Sequence, residues 1–89
     1  MKYEYSVMVN IIDNGNFQVT PFRVVAETEL EAAKLAEKCV RQIVISQGKT
    51  AANVFVSTFL PSAIVCNGQA TESDVISFEN YCKQLNIDF

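Results

Sequence analysis

The 89-residue chain has no histidine and no tryptophan. Without histidine it lacks the one side chain whose ordinary pKa lies near neutrality, and with it the commonest general base and metal ligand. Ser-His-Asp and Cys-His arrangements within one chain are excluded on that ground. Glycine is scarce too. Gly15, Gly48 and Gly68 each stand at an expected turn or helix end, so no glycine cluster precedes a helix to cradle a phosphate. The acids fall on expected caps and exposed helix faces, not in catalytic pairs. The expectation is a protein that is not an enzyme, with no cofactor and no metal.

Charge is also sparse. Seven Lys and Arg against ten Asp and Glu leave a net charge of −3, and the cations are spread from Lys2 to Lys83 without a run. Nucleic-acid binders gather such residues into patches, so nucleic acid is not the expected partner. The wholly apolar stretches are only a few residues long, far short of a membrane span. The segment MKYEYSV carries no apolar core followed by a small-residue cleavage site, and a cytosolic protein is expected. Three cysteines, Cys39, Cys66 and Cys82, leave one over under any disulfide scheme, with no C-x-x-C spacing. Three reduced, buried thiols are the expectation, Cys66 as a small apolar residue on the face of Ile64.

What is abundant is apolar surface. Hydrophobic residues make up 49% of the chain and charged ones 19%. That suffices for one domain over residues 1–89 and leaves apolar side chains for an interface.

Five elements or six follow from the patterning. Tyr3, Tyr5, Val7, Val9 and Ile11 alternate with polar residues at the period of a half-buried strand. Asn14-Gly15 suits a tight hairpin turn, and residues 17–27 return as a second strand. There Phe17 and Val19 share one face whereas Phe22, Val24 and Ala26 share the other, which suggests a bulge at Thr20-Pro21. Residues 28–47 read as a helix. Thr28 and Glu31 form a capping pair and Gly48 a stop, and Ala33, Ala36, Val40, Ile43 and Val44 make one apolar stripe with Cys39 at its border. Residues 53–60 form a strand with apolar residues on both parities, and SAIVC a shorter one before a turn at Asn67-Gly68. Pro61-Ser62 between them is either a hairpin turn or a kink in one strand. Thr71 and Asp74 cap a last helix whose apolar side is Val75, Phe78, Tyr81, Cys82 and Leu85, and which Asn86 can end.

The order is ββαββα, an α+β two-layer sandwich with a mostly antiparallel sheet and two helices on one face. Moving the last strand of a ferredoxin-like βαββαβ unit to the N-terminus gives this order. A three-stranded ββαβα arrangement is the alternative.

Two functions suit such a chain. The first is a small non-catalytic module that binds a protein partner or a second copy of itself. Short, acidic chains of this kind are common among accessory proteins of phages and mobile elements, some of which act by occluding a host protein. The second is a small-ligand binder or enzyme with a pocket between subunits, lined by Tyr3, Tyr5 or Tyr81. For the module, if Val54, Val56 and Leu60 pack under the helices, Phe55 and Phe59 point outward beside Ser57 and Met8, bordered by Glu4, Ser6 and Asn10. If the strand is inverted, both phenylalanines belong to the core.

Overall fold

A computed structural model describes residues 1–13, 15–48, 54–58 and 64–87, and of Val54, Phe55 and Ser57 the backbone only. Six elements follow in the expected order: β1 (Tyr3–Asp13), β2 (Asn16–Ala26), α1 (Glu29–Ser46), β3 (Val54–Thr58), β4 (Ile64–Gln69) and α2 (Glu72–Gln84). The sheet is antiparallel, with the helices on one face.

The alternation in β1 does what a half-buried strand requires. Tyr5, Val7 and Val9 are buried against Ala32, Ala33, Leu35, Ala36, Val40 and Val44 of α1. Burying each such valine contributes roughly 1.5–3 kcal/mol. β1 and β2 close on the Asp13–Asn16 pair, and Gly15 takes the positive φ of +85° that a two-residue connection demands. Asn14, its expected partner in the turn, lies outside the described residues. The ladder then runs from Asp13–Asn16 to Tyr3–Ala26 without a register shift, so there is no bulge at Thr20-Pro21. The parity slip reflects a second apolar face instead. Phe22 and Val24 turn inward, while Phe17 and Val19 turn outward and stay exposed. Among the described residues β2 pairs only with β1, so at this edge Pro21 withholds no N–H that a neighbouring strand needs.

The pairing on the other side of β1 differs from a permuted ferredoxin-like sheet. β3 pairs with Val9–Asp13 and β4 with Tyr3–Val7, so the two lie end to end along one edge of β1. Together they cover ten of the eleven residues of β1, all but Met8. The sheet thus has three lanes, with β1 in the middle where the permuted arrangement puts the fourth strand. β3 and β4 run in the same direction, which a hairpin between them would forbid. Pro61 and Ser62 themselves lie outside the described residues. Asn67-Gly68 is not the turn after β4 but part of that strand: Cys66 pairs with Tyr5 and Gly68 with Glu4, leaving Asn67 as the extra residue of a bulge. Gly68 sits at φ +117°, a conformation open to glycine and strained for other residues.

The helices begin where the sequence indicates. The Thr28 hydroxyl accepts the Glu31 N–H at 3.1 Å, and in α2 the contact is reciprocal, Thr71 accepting from Asp74 N–H and Asp74 from Thr71 N–H. Asn86, at φ 59°, follows the end of α2. Two attachments then fix α1. The Glu37 carboxylate accepts both the backbone N–H and the hydroxyl of Thr58, at 3.1 and 3.0 Å, pinning the end of β3. Cys39 and Cys82, both fully buried, bring their sulfurs to 4.0 Å where α1 meets α2.

Thr28→Ala is expected to cost about 0.5–2 kcal/mol by urea unfolding, and an unchanged midpoint would place the start of α1 elsewhere. Val40→Asp puts an unpaired charge into the core and is expected to leave no folded protein by circular dichroism. Its hydrogen bonds from Thr71 hold the Asp74 carboxyl below its ordinary value of 3.8. The carboxylate therefore stabilises the fold in full above that pH, and the contribution disappears as acid protonates the native cap. The stability difference between wild type and Asp74→Ala should accordingly shrink from pH 7 to pH 2; a constant difference would remove the cap from the account.

Candidate interaction surface

Since Val7 and Val9 point under α1, the even-numbered residues of β1 face the other way. Register carries this across the sheet: Met8 stands opposite Pro21, Asn10 opposite Val19 and Ser57, and Ile12 opposite Phe17 and Phe55. Among the described residues this face carries several exposed apolar side chains around a covered centre. Phe17 is 62% exposed, Val19 42% and Val65 59%, with Met8 and Ile12 also exposed. Val25 shares the parity but is buried, because it lines a groove with Phe78 and Tyr81 where α2 laps the end of β2.

One end of the face is polar. Glu4 lies 3.8 Å from the Arg23 guanidinium, and the Asn67 amide donates to Ser6 at 2.8 Å and to Glu4 at 3.4 Å. The bulge in β4 is what brings Asn67 into this rim. Asn10, expected at the border with Glu4 and Ser6, stands at the centre instead. It is 2% exposed, and neither its Oδ1 nor its Nδ2 has a hydrogen-bond partner among the described residues. An amide buried in that state costs on the order of 1–3 kcal/mol.

Of the four residues expected to form the contact, Met8 is therefore on this face and exposed. Phe55 and Ser57 hold the register positions opposite Ile12 and Asn10, with Val56 between them buried in the core. Their side chains, and Phe59 altogether, lie outside the described residues. The sequence reading did not assign Ile12, Phe17, Val19 and Val65 to the surface. The signal for Phe17 and Val19 was present as the change of parity in β2.

Among the described residues no group of three or more Cys, Asp and Glu side chains could hold a metal ion. Burial pushes the Cys39 thiol up to about 12 and raises that of Cys82, so neither supplies a thiolate at neutral pH. Cys66 departs from the expected burial. Ile64 is covered, but Cys66, two residues further along β4, is exposed. The tyrosines do not converge on one pocket. The Tyr3 and Tyr5 rings meet edge to face at 6.5 Å on β1, while Tyr81 leans on Phe22 at 6.3 Å. Desolvation by burial raises the phenols of Tyr5 and Tyr81 above their ordinary value. A groove of about 260 Å³ beside Tyr81 and another of about 240 Å³ between α1 and β2 fall below the roughly 300–1,000 Å³ of typical small-molecule sites, while a third of about 300 Å³, lined by Lys38, Arg41, Gln42, Asn86 and Ile87, reaches the lower end of that range. No helix among the described residues is long and apolar enough to cross a membrane.

With a maleimide, one thiol per native chain should react quickly and three after unfolding, and Cys66→Ser should abolish the fast phase. Fast reaction of two or more native thiols would contradict the burial of the Cys39–Cys82 contact. Comparison with family models, curated proteins and solved structures gives no match.

Proposed function

We propose that the chain is a small non-catalytic binding module that acts by covering a protein surface with the bare face of its sheet. The observation that carries this reading is the run of exposed apolar side chains across two neighbouring strands, Met8 and Ile12 on β1 with Phe17 and Val19 on β2. An apolar centre with a polar rim is the anatomy of a protein interface. The rim is Glu4, Arg23, Ser6 and Asn67, its charges already paired and its amide already bonded. Occlusion suits such a surface, since it asks for complementarity and no reacting group. All three thiols are free, a state that a reducing compartment such as the cytosol maintains.

Phe17 and Val19 are exposed, so Phe17→Glu and Val19→Glu should leave the unfolding midpoint within about 0.5 kcal/mol of wild type. Both should abolish association, read as light-scattering mass and as protein retained from a native lysate by the immobilised chain. Association unchanged in both variants would sink the reading.

A further inference from the structure

We infer that the occupant of the bare sheet face is a second copy of the same chain, stacked face to face about a two-fold axis that passes by Asn10; this rests on the reading of that face as a contact surface. The dimensions allow it. The molecule is a slab with extents of 38 × 29 × 15 Å, and the sheet forms one of its broad sides. That side is of the size at which each partner buries about 800 Å², the area of a standard stable complex. The centre of the face is uncharged, so two copies meet there without repulsion; Glu4 and Arg23 sit toward one end and neutralise each other.

The symmetry follows from the order of side chains. A two-fold axis in the plane between the sheets and perpendicular to β1 sets residue 10 against residue 10. Met8 then lies over the partner's Ile12, and Val19 over the partner's Val19, with the sheets about 10 Å apart. At the axis stands Asn10, buried, with neither amide atom partnered among the described residues. An amide is its own complement, carrying a donor and an acceptor, so two of them across a two-fold satisfy one another. Reaching it requires the flanking side chains to part, and Met8 is an unbranched, flexible one. The alternative route to a dimer, pairing along the free edge of β2, is hindered by Pro21, which offers that edge no N–H. Stacking uses the face and leaves the edge alone.

The test is sedimentation equilibrium from about 1 µM to about 1 mM, spanning weak and moderate affinities. It is joined to cross-linking of Asn10→Cys in a Cys66→Ser background under mild oxidation. Wild type should dimerise. Val19→Glu should weaken the dimer about a hundredfold, because the charge is buried twice per two-fold interface. Ile76→Glu, exposed on α2, should leave it unchanged. Phe17→Ser, which adds no charge, serves if Val19→Glu fails to fold. Asn10→Cys should form a disulfide-linked dimer faster than Asn16→Cys at the hairpin tip. Equal rates for the two, or a dimer indifferent to Val19→Glu, would overturn the proposal. A wild-type chain that stays monomeric throughout would also overturn it. In that event, loss of a captured protein on Val19→Glu would leave the binding-module reading standing, and no loss would remove both.

Discussion

Everything in the sheet depends on the two-residue period of β1. Its odd-numbered side chains are drawn under α1, and Val7 and Val9 lose all contact with solvent there. Once that is so, Met8, Asn10 and Ile12 have no choice but the opposite face. Because β1 is also the strand to which β2, β3 and β4 all pair, the same division passes by register to every lane. The core and the bare surface are therefore two consequences of one constraint. A one-residue slip in β1 would exchange them.

α1 is held by groups that leave it in different directions. At 100° per residue, Glu37 and Val40 lie about 60° apart on neighbouring parts of one face, while Cys39 leaves from another side. Glu37 fastens the end of β3, Cys39 meets Cys82 of α2, and Val40 enters the sheet core. The two sulfurs act as small apolar contacts. Burial suppresses their ionisation, and the thiol left in solvent is Cys66 on the edge strand, outside the helical cover.

Local structure was legible from residue types because local chemistry sets it. Thr28 and Thr71 cap helices at the positions their hydroxyls indicate, and the β1–β2 hairpin closes around Gly15. The apolar stripe of α1 is correct in direction, though it also takes in Ala32, Leu35 and the fully buried Cys39. Pairing partners were not legible. Asn67-Gly68 has the composition of a turn, and a bulge uses the same backbone freedom inside a strand. Phe17 and Val19 announced a change of face, but a bulge and a genuinely apolar outer face give the same pattern of residues. For Asn10, alternation gave the face correctly, yet its burial depends on neighbours that only the assembled sheet supplies.

By itself, the sequence determined the chemistry and the elements. The lack of histidine and of glycine clusters, the periods of the apolar residues and the capping threonines all act within a few positions along the chain. Tertiary structure alone decided that β1 is central, that β3 and β4 share one of its edges, that Cys66 is exposed, and that Asn10, without a hydrogen-bond partner among the described residues, is buried amid the exposed apolar side chains of the outer face. These outcomes depend on contacts between residues far apart in the chain, such as Glu4 and Asn67, 63 positions from one another. No local rule reaches that far, because strand pairing is settled by which faces can be buried together once the chain has closed on itself.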